Sequence, residues 1–246
     1  MKVIQLTNLS KKDYERIVRR SLGTNEDIMP DVKKVMGKVN TDGDAVLLEK
    51  YQKRYGEKNY QSIRVTDVER QEARRQTKRG TVKALKQMIK NITAVHKAQL
   101  PKKIDTTVNS EHGICVWREW RPIEKVGLYV PGGKAIYPSS VLMSTIPAQI
   151  AGCREIILCS PPKSDGNMPA ATLVAADMLG LTNVFKIGGA EAIAAMAYGT
   201  ESIPKVYKIF GAGNSYVTAA KMLAFGESAI DMPAGPSEVF VIADET

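Results

Sequence analysis

From residue 126 onward the chain alternates strand-like runs, "VGLYV", "EIILCS", "NVFKIG" and "KVYKIF", with helical patterns over 141–151, 170–179, 190–197 and 215–225. No other feature limits the fold so strongly. Strands joined through a helix lie parallel, and each right-handed crossover must pass over a face of the sheet. The pattern predicts an α/β protein whose second part is a Rossmann-like parallel sheet.

Three of these strands run into glycines: "YVPGGKA" at 129–135, "KIGGAEA" at 186–192 and "IFGAGNSYV" at 209–217. All carboxyl ends of a parallel sheet share one edge, so the three loops converge on a single crevice. Glycine there lets a ligand approach backbone N–H groups at helix N-termini. An anionic or nucleotide ligand is the expectation. Neither familiar fingerprint completes, however. "GAGNSY" has Tyr216 where a dinucleotide motif needs its third glycine, and "GLYVPGGK" has Gly133 where a P-loop needs lysine. With no Gly-x-Ser-x-Gly elbow, a serine hydrolase is not indicated either.

The first 100 residues read as helical. Ser10 is placed to cap a helix through Arg20, and two further helical patterns, 30–38 and 43–55, are broken at Asn40-Thr41-Asp42-Gly43. Thr66 and Glu69 form a capping box. Beyond Gly80, Val82, Leu85, Ile89 and Ile92 recur at spacings of three and four, and His96 continues the row, which places it on a buried face. His112 lies in the turn "SEHG", across which the alternation over 106–121 predicts a strand pairing back. Two separated histidines make a weak metal site.

Charge is uneven. Residues 1–125 carry 28 Lys and Arg against 16 Asp and Glu, and the remainder 7 against 10, within an overall formal charge of +9. The densest stretch, "RQEARRQTKRGTVKALKQMIK", has a helical apolar stripe and no interleaved aromatics, so a solvated helix face is expected and a nucleic-acid partner is not. Cys115, Cys153 and Cys159 lack Cys-x-x-Cys spacing and are read as core fillers. Neither a membrane span nor a signal peptide is found, and a cytoplasmic protein is expected.

Composition and spacing alone reach an α/β protein with a ligand crevice. The segments "GLYVPGG", "PAQIAGC", "LCSPP", "GGAEAIAAMAYGTESIPKVYKIFGAGNSYV" and "DMPAGPSEV", with "KNITAVHKAQ" before them, resemble the histidinol dehydrogenases in order and separation. The resemblance covers nearly the whole chain. It implies a helical N-terminal region followed by an incomplete, truncated Rossmann-like sheet of the aldehyde/histidinol dehydrogenase type. Residues 1–125, with a β-hairpin, would be part of the first domain, 126–236 the nucleotide-binding domain and 237–246 the start of a return into the first. The strand-like run 239–243 would belong to that return, and the chain would be the N-terminal portion of a longer protein.

The resemblance also implies oxidation of L-histidinol to L-histidine through an aldehyde with NAD as cofactor and zinc as metal, in a homodimer. It assigns cofactor contacts to Tyr129, Glu191 and Asn214 and a substrate contact to Ser237. The zinc ligands and the catalytic Glu-His pair would lie beyond Thr246, so no catalytic or metal residue is assigned here and the chain alone is expected to be inactive. Two departures bear on cofactor affinity: Glu191 stands where the family commonly has glutamine, and "GAGN" replaces "GPGN". A noncatalytic nucleotide-binding or regulatory module of the same fold is the alternative.

Overall fold

The computed structural model describes residues 9–18, 24–58, 60–109, 112–132 and 135–233. The N-terminal helices are α1 (Lys11–Val18), α2 (Thr24–Tyr55), α3 (Asp67–Gln76) and α4 (Arg79–Gln99). A hairpin of β1 (Ile104–Asn109) and β2 (Cys115–Glu119) follows. The rest is β3 (Lys125–Tyr129), α5 (Pro138–Ala151), β4 (Glu155–Cys159), α6 (Ala170–Met178), β5 (Val184–Phe185), α7 (Gly189–Tyr198), β6 (Lys208–Phe210), α8 (Ser215–Ala224) and β7 (Ala229–Ile230).

All four anticipated strands join one parallel sheet in the order β5-β4-β3-β6-β7. The chain works outward from β3 to one edge and then returns to β3's other side, so the switch point lies between β3 and β6. The fifth strand, β7, was not foreseen. "NVFKIG" supplies only Val184–Phe185 to the ladder, because the segment before α3 takes over the neighbouring bonds. Val65 donates its N–H to Val184 O at 2.9 Å and Lys186 donates to Ile63 O at 2.7 Å. An antiparallel bridge between Arg64 and Phe185 completes this cover over an otherwise open edge.

Each face of the sheet carries its own apolar layer. Val126, Leu128, Ile156 and Leu158 turn to α4, α5 and α6, while Tyr129, Ile157 and Cys159 turn to α2, α7 and α8. The N-terminal helices therefore serve both layers: α2 packs on α7 and α8, α3 on α6, and α4 on α5.

The break near Gly43 is present: α2 is two helices joined at that residue, whose φ of 55° and ψ of −134° leave the helical region. Asp44 begins the second helix and its N–H donates to Glu201 at 2.8 Å. The first helix starts at Thr24, earlier than the expected 30, with Pro30 inside it. The Ser10 cap is formed, its Oγ accepting the Asp13 N–H at 3.1 Å, and so is the Thr66–Glu69 capping box. The expected end, at Arg20, of the helix that Ser10 caps falls outside the described residues.

Two expectations are corrected. His96 is only half-buried and its Nδ1 lies 2.8 Å from Gln99 Oε1, because the last turns of α4 leave the shared layer, as exposed Val95 and Leu100 also show. Cys115 is no core filler: it is exposed on the hairpin, whereas Cys153 is half-buried and Cys159 buried. Among the described residues no helix is long and apolar enough to cross a membrane.

Candidate functional site

The carboxyl edge of the sheet opens into a cavity of about 460 Å³. Its walls are the loops after β3, β4, β5 and β6, represented by Gly132, Pro161, Gly188 and Asn214, together with both halves of α2. Tyr129, Glu191 and Asn214, taken from three separate segments of sequence, all line it. Ser237 lies outside the described residues.

Tyr129 ends β3 and is buried, and its hydroxyl accepts the Gly189 N–H at 3.2 Å. Burial pushes its pKa up, with the Gly189 N–H pulling the other way, so the phenol stays neutral and keeps a proton to donate. Asn214 caps α8, its Oδ1 accepting the Val217 N–H at 3.1 Å. The cap uses only the carbonyl end of that amide, and the two N–H donors are not part of it.

Glu191 sits in the first turn of α7, where a carboxylate favours the helix N-terminus. Its side chain is 9% exposed and pairs with Lys50 of α2, whose side chain is 50% exposed.

Three further groups hold these parts in place. Tyr51 of α2 accepts the Gly188 N–H at 2.8 Å and donates to the Gly188 carbonyl at 3.2 Å, pinning the glycine turn from above. Burial raises its pKa far above the tyrosine range, so both bonds persist at any ordinary pH. Tyr51 also stacks on Tyr60 at 5.1 Å. Below, Gly211 has φ of 128° and a Cβ there would meet Tyr129 O at 2.1 Å, so the loop after β6 can lie against β3 only with glycine. Lys221, 1% exposed on α8, donates to Gly211 O at 2.8 Å and pairs with Asp231, whose other oxygen accepts the Gly211 N–H at 2.8 Å. One buried cation thereby fixes the loops after β6 and β7 together.

Lys50, Tyr51, Arg54 and Tyr55 had no place in the sequence-based site. "EKYQKRY" does carry a signal, since basic residues at 50 and 54 and tyrosines at 51 and 55 share one helix face. What it lacks is any indication of which wall that face meets.

The cavity therefore presents two helix N-termini, a neutral phenol, an amide and a paired cation at the crossover point of a parallel sheet, an arrangement suited to a nucleotide. Comparison with known proteins identifies the family. The profile of the histidinol dehydrogenase family matches residues 18–246. The chain is 45% identical over 246 residues to a histidinol dehydrogenase of Methanocaldococcus jannaschii, covering all of this chain and 57% of that protein. It is 46% identical over 249 residues to one of Bacteroides fragilis, covering all of this chain and 56% of that protein. A crystal structure of histidinol dehydrogenase from Elizabethkingia anophelis superposes with a TM-score of 0.81 at 40% identity, over 94% of this chain and 53% of that one. The chain thus spans just over half the length of the relatives it matches. With the expected parallel sheet in place and the profile running from α1 to the last residue, the chain belongs to the histidinol dehydrogenase family.

Proposed function

We propose that this chain forms the nucleotide side of an NAD-dependent oxidoreductase that converts L-histidinol to L-histidine through the aldehyde. The observation that carries the proposal is the convergence of Tyr129, Glu191 and Asn214 on one cavity at the sheet's carboxyl edge. In this reading 126–236 is the nucleotide-binding domain, 1–125 belongs with the first domain and 237–246 begins the return to it. The protein would work as a cytoplasmic homodimer.

The chain's own groups have defined tasks. The N-termini of α7 and α8 line the cavity and direct their positive ends at the cofactor's phosphates, while the Gly188, Gly189 and Val217 N–H groups are held by Tyr51, Tyr129 and Asn214 and the Asn214 amide donates from the cap position. Tyr129 offers an aromatic edge and a proton that it does not lose at physiological pH. Ser237 is proposed to bond the amino alcohol. Zinc belongs to the same family reading. Among the described residues no group of three or more His, Cys, Asp or Glu could hold a metal ion, and no step here runs through one.

Calorimetric titration with NAD⁺ tests the proposal. The 246-residue chain should bind NAD⁺, and Asn214→Ala should weaken binding by about tenfold, the scale of one lost charge-assisted hydrogen bond. Absence of binding by the unaltered, folded chain would overturn it.

A further inference from the structure

We propose that Lys50 masks the charge of Glu191, so that the cofactor meets the two side chains as one neutral unit. This rests on reading the cavity as the nucleotide site. Glu191 is the acidic residue of the first turn of α7, lines the cavity and is almost withdrawn from water. One carboxylate oxygen meets Lys50 Nζ, and the other lies back over Gly189, where an added Cβ would come within 2.9 Å of it. Uncompensated, that charge would oppose a pyrophosphate in the same cavity. The α7 N-terminus offers roughly half a positive charge, which is insufficient. Lys50 supplies a whole one.

Two of the neighbouring cations are engaged elsewhere. Lys53 pairs with Glu49 within α2, and the Arg54 guanidinium lies 5.3 Å from the centre of the Tyr55 ring. Among the described residues, Lys50 is the cation in contact with Glu191. The pair also forms a wall shared with a second cavity of about 540 Å³ lined by Val35, Lys38 and Glu49. Lys50 is half-exposed, so removing it relieves little desolvation of the cation itself, whereas Glu191 would stay buried with its charge unmatched.

Masking and direct contact make opposite demands on Lys50. If its ammonium bound a phosphate, it would have to leave Glu191. If it masks Glu191, removing both partners together restores the cofactor's surroundings. NAD⁺ titration of the unaltered chain, Lys50→Met, Glu191→Gln and the double variant separates the two.

Masking predicts that Lys50→Met weakens binding by about tenfold or more, the scale of a buried carboxylate left unpaired. The double variant should return to within about threefold of the unaltered chain, since no net charge is left to perturb the site. Glu191→Gln alone should bind more tightly, with a gain that shrinks at high salt, because it frees a cation beside an anionic ligand.

A double variant as weak as Lys50→Met overturns masking in favour of direct contact, and a Lys50→Met variant that binds normally overturns it outright. Should Lys50→Met fail to fold, the double variant and Glu191→Gln decide, and a double variant about tenfold weaker than the unaltered chain, or equal or weaker affinity in Glu191→Gln, overturns the proposal. No binding by the unaltered chain removes the nucleotide site and the masking with it. Normal binding by that chain with a double variant as weak as Lys50→Met removes the masking only.

Discussion

The five-stranded sheet and the β1–β2 hairpin are made from similar residues and end in opposite environments. In the sheet, Val126, Leu128, Ile157 and Leu158 are at most 1% exposed, whereas in the hairpin Val108, Val116 and Trp117 are all more than half exposed. β-branched and aromatic residues set the extended backbone in both. Burial has a different source: β3, β4, β5 and β6 are each followed by a helix that returns over a face, whereas β1 and β2 are joined directly, with no helix between them to cover them. Strand propensity is thus local, while burial follows from how strands are connected.

Cysteine chemistry should show the largest contrast. With an aryl disulfide reagent, Cys115 on the hairpin should be modified in the folded protein, Cys153 more slowly and Cys159 only as fast as the chain unfolds. Burial both shields the Cys159 sulfur and pushes its pKa far above the thiol range, and it raises that of Cys153 to a lesser degree. Labelling rates followed by mass spectrometry check this, and rapid labelling of Cys159 without denaturant would break the contrast.

Truncations come next in size. Ile157→Ala should cost about 2–5 kcal/mol in a denaturant titration, because the site is closed on all sides, and Val116→Ala should stay within about 0.5 kcal/mol. A hairpin variant as costly as the sheet variant would show that the hairpin is covered in solution.

Tyr51→Phe sharpens the comparison at the site itself. It removes the hydroxyl that both accepts from and donates to Gly188, leaving two buried backbone groups without that partner, so a loss of about 1–3 kcal/mol is expected together with weaker NAD⁺ binding. Unfolding and NAD⁺ titrations on the same variant measure both.

The smallest effect concerns the kink in α2. The Asp44 N–H above all, together with Glu201's own backbone N–H, holds the Glu201 carboxyl below the usual glutamate range. Because the folded value is the lower one, this stabilisation is present above the unfolded glutamate value and is lost as pH falls through the folded value. Unfolding measured from neutral pH downward should therefore show a shallower acid-side loss in Glu201→Gln. Identical profiles would remove the contact.

How much could be read in advance follows the same division. The four strands, their helices and the Gly43 break were legible because apolar runs, spacing and glycine act locally. β7, two residues long in "SAID", leaves no periodicity to detect. β5 is shortened by bonds to Val65 and Ile63, residues far away in sequence. In the site, the strand-end glycines marked the loops, and only the family motifs assigned Tyr129, Glu191 and Asn214. Lys50 and Tyr51 could not be, since their roles depend on α2 reaching a turn more than a hundred residues later.

The docking of α2 on α7 and α8 also sets a timetable for the ribosome. The helix is complete at Tyr55, but the surfaces that cover Val32, Met36, Val39 and Leu47 are not all synthesised until Ala224. At about 5–20 residues per second, the nascent chain carries that uncovered stripe for on the order of ten seconds. A chaperone that holds apolar helices should find its target here first, and a translational pause placed after Ala224 should release it.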